Sequence, residues 1–121
     1  MSRVFWDTNL FIYLLEGSGE RARRVVSLRE RMLARGDQLY TSALTLGEIL
    51  VKPAEAGDTA LQQEYEQTLS AGAVIVPFDQ PAARAYAVIR RDRNIRPPDA
   101  IQLACAVSAH VDLFITNDER L

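Results

Sequence analysis

"RVFWDTNLFIYLLEG" spans residues 3–17, and its reading decides the fold. The first four residues form a brief apolar run that ends abruptly, the pattern of a short buried strand. Behind Asp7, Thr8 and Asn9, the residues Leu10, Phe11, Tyr13, Leu14 and Leu15 recur at helical spacing, predicting a helix over 10–16 that Gly17 ends. Two readings of Asp7 stand at this point. It is an N-cap for the helix, or it is a carboxylate placed where a buried strand ends, suited to a cation.

Working outward, the same alternation repeats. A helix is expected over 20–35, with Ala22, Val25, Val26, Met32 and Leu33 inward and Gly36 closing it. A strand over 38–42 leads into a helix over 43–51, stopped before Pro53. Thr59 and Gln62 are spaced as a capping box for the next helix. "AVIVP" (73–77) is the clearest strand, Asp79 caps a helix through 93, and Pro97-Pro98 open one through 110. "DLFIT" (112–116) is the last strand. Short, continuously apolar strands between helices indicate an α/β protein with a central parallel sheet covered on both faces. Ligands in such folds gather beyond the carboxyl ends of the strands, where Asp7 and Asp118 fall.

Composition bounds the function classes. The 121 residues suit one domain, 1–121, with 48% apolar and 25% charged residues. No apolar run approaches the roughly 18 residues that span a bilayer, and the N-terminal run is broken by Asp7, so a cytoplasmic protein without membrane contact is expected. Cys105 is the sole cysteine, which excludes an intrachain disulfide or thiolate zinc site and reads as a buried, inert thiol. His110 is the sole histidine, at the end of an Ala-rich helix where an imidazolium suits the dipole. The net charge of −2 carries no basic surplus. Its distribution is uneven, however. Arg21, Arg23, Arg24, Arg29, Arg31 and Arg35 fall in one segment, and Arg84, Arg90, Arg91, Arg93 and Arg96 in another.

Three further acids resemble Asp7 in context. Glu48 sits in the apolar helix "SALTLGEILV", where Lys52 is an i,i+4 partner. Asp99 follows two prolines in a first helical turn, where it complements the dipole. Asp118 in "TNDERL" suits a turn. Each has an ordinary structural role open to it, yet all four can reach one rim of one sheet. Asp79 as a cap, Asp92 among arginines and Asp112 at the opposite rim are expected to be non-ligands. Clustered carboxylates repel, and hard divalent cations such as Mg²⁺ relieve that repulsion. One or two such ions orient a phosphodiester, activate water and stabilise the leaving oxygen. Asn9, Thr116 and Asn117 would then support the carboxylates and their waters.

"VFWDTNLFIYLLEG", "SALTLGEIL", "PPDAIQLACAV" and "DLFITNDERL" resemble the four acidic motifs of PIN-domain proteins, and within them the VapC-type toxins of toxin–antitoxin systems. The resemblance implies a three-layer α/β/α sandwich with a five-stranded parallel sheet and a Mg²⁺- or Mn²⁺-dependent endoribonuclease. It also implies a homodimer and a cognate antitoxin that blocks the site. By position, the metal-binding and catalytic acids would be Asp7, Glu48, Asp99 and Asp118, with Thr8, Asn9 and Thr116 in support. Family members continue into a final edge strand, whereas here the sequence shows four and ends at Leu121.

Other readings are a catalytically silent PIN-fold interaction module and a receiver-like phosphoacceptor. The latter requires adjacent acids after the first strand and a late lysine, but the chain has Asp7-Thr8 and only Lys52. Haloacid-dehalogenase-type phosphatases need a second Asp where Asn9 stands.

Overall fold

A computed structural model of the chain describes residues 1–116. The described elements run β1 (Arg3–Trp6), α1 (Thr8–Glu16), α2 (Glu20–Arg35), β2 (Gln38–Ser42), α3 (Ala43–Glu55), α4 (Thr59–Gly72), β3 (Val74–Val76), α5 (Gln80–Ile89), α6 (Pro97–Ser108) and β4 (Leu113–Ile115). The strands form one parallel sheet in the order β3-β2-β1-β4, as the alternation of elements predicts. The family's fifth strand has no counterpart among the described residues.

Side chains of one strand alternate between faces, and β1 shows the consequence. Val4 and Trp6 pack with Leu10 and Phe11 of α1, Val25 and Met32 of α2, Ile49 of α3 and Leu69 of α4. Phe5 points the other way, into a smaller core with Val76, Ala82 of α5, and Cys105 and Ala106 of α6. It also stacks on Phe114, its register partner on β4, at 5.2 Å between ring centroids. Both faces of β1 are therefore dry. This explains why its sequence is continuously apolar rather than alternating. The chain adds β2 and β3 on one side of β1, then α5 and α6 carry it back to place β4 on the other side. That reversal creates a switch point at the carboxyl ends of β1 and β4.

Several boundaries differ from expectation for local reasons. Helix α3 continues through Pro53 to Glu55, because a proline so near the end forfeits little of the helical hydrogen bonding. Asp58, rather than Thr59, caps α4 by accepting from the Leu61 N–H at 3.0 Å. Helix α5 stops at Ile89 rather than 93, since Asp92 turns its carboxylate onto the Asn94 N–H at 3.0 Å and competes with helical pairing. On α2 the inward stripe is narrower than expected: Ala22, Val25 and Met32 are buried, while Val26 and Leu33 are 41% and 60% exposed. Each lies about 100° around the helix from a buried neighbour. Helix α6 ends at Ser108, and His110 follows in the left-handed conformation (φ 53°) that commonly closes helices. No helix among the described residues is long and apolar enough to cross a membrane.

Candidate active site

At the switch point, a cavity of about 290 Å³ is lined by Asp7, Thr8, Asn9, Glu48, Arg96, Asp99 and Gln102, with Pro98 at its wall. Asp7 closes β1 and is only 7% exposed. Its Oδ1 accepts from the Asn9 N–H at 3.1 Å, so it caps α1, and its Oδ2 accepts the Thr116 hydroxyl. Capping and cavity lining are thus both true of one carboxylate. Its own backbone N–H donates to the Ile115 carbonyl at 3.2 Å, tying the end of β1 to β4.

Glu48 does not take Lys52 as its partner. Lys52 Nζ lies 3.5 Å from Glu16, and Glu48 Oε1 instead accepts the Thr8 hydroxyl at 2.6 Å. Asp99 stands in the first turn of α6, where Arg96 grips its Oδ2 through Nε and Nη2 at 3.1 and 3.0 Å. Asp7, Glu48 and Asp99, drawn from widely separated segments, therefore face one cavity together with Thr8 and Asn9. Thr116 joins them through Asp7. Asn117 and Asp118 lie outside the described residues. Among the described residues, no three His, Cys, Asp or Glu side chains sit close enough to chelate one ion.

The three acids expected to play no part in the site are elsewhere. Asp79 caps α5 by accepting from the Ala82 N–H at 3.2 Å. Asp92 forms the turn already described. Asp112 accepts from the Arg3 N–H at 2.8 Å, at the amino end of the sheet.

Beneath the carboxylates runs a polar network that the sequence reading did not identify. Gln102 is 4% exposed, and its Nε2 donates to Thr8 Oγ1 at 3.0 Å and to Thr45 Oγ1 at 2.9 Å. Its Oε1 accepts the Ser42 hydroxyl at 2.5 Å. Ser42 caps α3 and accepts the Thr45 N–H at 3.3 Å, so its single proton is left for Gln102. Thr8 gives its proton to Glu48 and accepts from Gln102, so in the 3.1 Å contact between Thr8 and Thr45 the donor is Thr45. Every hydrogen is thereby directed from Ser42 through Gln102 and Thr8 to Glu48. A lone amide in the apolar run "AIQLACAV" was the available signal, because a buried polar side chain requires partners. Arg96 also lines the cavity, although in sequence it is one of a run of arginines with nothing to set it apart.

The family model described as "PIN domain" matches residues 4–121. A search of curated proteins finds no match. Among solved structures, the chain is similar to one described as a toxin–antitoxin complex from Klebsiella pneumoniae. That likeness has a TM-score of 0.67 and 22% identity, over 97% of this chain and 88% of the other. It is also similar to VapBC2 from Rickettsia felis bound to a promoter DNA fragment, with a TM-score of 0.72 and 15% identity. The coverage there is 96% of this chain and 88% of the other. At these identities the likenesses concern the fold alone. With the family model matched over nearly its whole length, the chain belongs to the PIN-domain family.

Proposed function

We propose that the protein is a metal-dependent endoribonuclease and the toxin of a VapC-type toxin–antitoxin pair, acting in the cytoplasm. The observation that carries this reading is the meeting of Asp7, Glu48 and Asp99 in one cavity at the sheet's switch point. The donors are carboxylate oxygens, the kind that a hard divalent cation favours while it retains several waters. Glu48 engages Oε1 with Thr8, and Asp99 engages Oδ2 with Arg96. Each has a second oxygen outside those bonds.

Asp7, Glu48, Asp99 and Asp118 would hold Mg²⁺ or Mn²⁺, which when bound supplies an activated water and neutralises charge at the scissile phosphate. The chain's own groups do the remaining work. Thr8 orients Glu48, while Thr116 and the Asn9 N–H orient Asp7. Asn117 is assigned a supporting role by its place in the fourth motif. The polar network holds Thr8 as a hydrogen-bond donor toward Glu48. An antitoxin partner is supported by the assemblies in which the two structural neighbours occur. A homodimer follows from the same family reading.

The test is incubation of total cellular RNA with and without Mg²⁺, mapping new 5′-phosphate ends by sequencing, with Asp7→Asn as control. Discrete ends that require metal and vanish in the variant are expected. Parent-like cleavage by Asp7→Asn, or ends that form equally in EDTA, would refute the reading.

A further inference from the structure

Beside the acidic cavity lies a second groove of about 270 Å³, bordered by Leu10, Tyr13, Arg21, Arg24, Ile115 and Thr116. Thr116 links the two, because it lines the groove and donates its hydroxyl to Asp7 of the cavity. The groove's chemistry is the reverse of the cavity's. Arg21 lies over the Tyr13 ring, 5.6 Å from its centroid, and donates Nη1 to the Tyr13 hydroxyl at 3.2 Å.

Four other arginines of α2 are engaged differently. Arg23 and Arg24 each reach Glu20 at 3.4 Å, Arg35 pairs with Asp37 at 2.8 Å, and Arg29 donates to the Gly72 carbonyl at 3.3 Å. Arg21 is exposed, and among the described residues no carboxylate lies within ion-pair distance of it. Its charge is therefore offered to solvent, beside an aromatic ring, next to a site made of carboxylates. A polyanion approaching that site is repelled by the acids and needs a cationic foothold. An exposed cation combined with a stacking surface is how single-stranded nucleic acid is held without sequence readout.

We propose that the Tyr13–Arg21 groove is a subsite for single-stranded RNA, taking a nucleotide that flanks the bond cut at the acidic cavity. Arg21 meets the phosphate, which draws its guanidinium off the Tyr13 ring and opens that face for the base to stack. The proposal rests on the nuclease reading for its substrate, but binding tests it separately. Arg31 on the same helix is exposed and does not line the groove, so it serves as the matched control.

The experiment measures the Kd of a fluorescein-labelled 12-nucleotide oligouridylate by anisotropy across a range of NaCl concentrations. It uses the full chain carrying Asp7→Asn, with Mg²⁺ present. Arg21→Ala is expected to weaken binding about tenfold and to flatten the slope of log K against log salt by about 0.7, one phosphate contact's worth. Tyr13→Ala is expected to weaken binding about tenfold through lost stacking while leaving the slope unchanged, and Tyr13→Phe to restore affinity. Arg31→Ala should match its parent, and circular dichroism melts confirm that each variant is folded. Folded Arg21→Ala and Tyr13→Ala proteins that bind like Arg31→Ala overturn the subsite. If Mg²⁺-dependent cleavage by the parent chain persists in that case, the nuclease reading stands alone. RNA binding that depends on Arg21 and Tyr13, without any cleavage, supports the subsite and removes the nuclease. Binding of an oligoglutamate peptide through Arg21 in place of the RNA assigns the groove to a protein partner and overturns the proposal.

Discussion

Replacing Gln102 by leucine tests whether the polar network under the carboxylates is a structural unit. Leucine nearly matches glutamine in volume but supplies neither the two Nε2 donors nor the Oε1 acceptor. Three buried hydrogen bonds disappear, at 2.9, 3.0 and 2.5 Å. A neutral hydrogen bond contributes about 1 kcal/mol net, so their sum is about 3 kcal/mol. The Ser42 hydroxyl is 1% exposed with its residue and would be left with a stranded proton, which pushes the figure upward. Trp6 is the sole tryptophan and fully buried, so its fluorescence reports unfolding without a label. Urea titration should show a lower midpoint with an unchanged slope, the signature of lost stability rather than altered compactness. In the double variant with Ser42→Ala, the two costs should fall short of additivity by at least about 0.5 kcal/mol, because both remove the same bond. A loss below about 1 kcal/mol for Gln102→Leu, or strict additivity with Ser42→Ala, would refute the network as described.

Adding Mn²⁺ at a hundredfold excess over its Kd should stabilise the parent by about 2.7 kcal/mol in thermal melts, and no shift at millimolar metal would count against a metal site. Asp99→Asn should abolish metal-dependent cleavage while changing metal-free stability by less than about 1 kcal/mol, since the half-exposed Arg96 pair it removes is weak and one mutual repulsion goes with it. Arg96→Gln releases Asp99 and should lower the Mn²⁺ concentration needed for half of the melting shift. Asp37 is held below its ordinary value of 3.8, first by the Arg35 guanidinium and further by the Ser2 N–H, against the opposing effect of burial. Its contribution is present above the unfolded value and is lost as pH falls through the folded one, so Asp37→Asn should lessen the acid-induced drop in stability below about pH 4. Burial pushes the Cys105 thiol up to about 11, so a thiol reagent should label the native protein only as fast as it unfolds.

How much of this was legible in the sequence depends on whether the signal was local. The strand before Asp7 could be read because a β1 flanked by two cores must be apolar at every position, and Val4, Phe5 and Trp6 are. The parallel sheet followed from the alternation of elements. The strand order did not, because it depends on where α5 and α6 pack. Helix ends were misplaced at Pro53 and Asp92, where competing local hydrogen bonds or late positions overrode propensity. The inner face of α2 was drawn too wide because Val26 and Leu33 adjoin buried residues in sequence but not around the helix.

The site divides along the same line. Carboxylates in apolar or strand-end contexts are conspicuous, since their charge demands a reason, and three of them do share a cavity. Their partners were invisible because hydroxyls and amides suit many surroundings. Lys52 looked like the partner of Glu48 on helical spacing, yet an exposed pair of that kind is worth only a few tenths of a kcal/mol. The Thr8 hydroxyl reaches the same carboxylate from a helix 40 residues away in sequence, at 2.6 Å. The difference matters chemically. A lysine would cancel the charge of Glu48, whereas a hydroxyl already committed as a donor fixes its orientation and leaves the charge in place. Orientation by neutral donors recurs at Asp7 through Thr116 and the Asn9 N–H. Arg96 on Asp99 departs from that pattern, since it is the one cation among the described residues lining the cavity. Glu48, oriented by a hydroxyl, stands in one cavity with two further carboxylates, and a bound cation is what would relieve their repulsion.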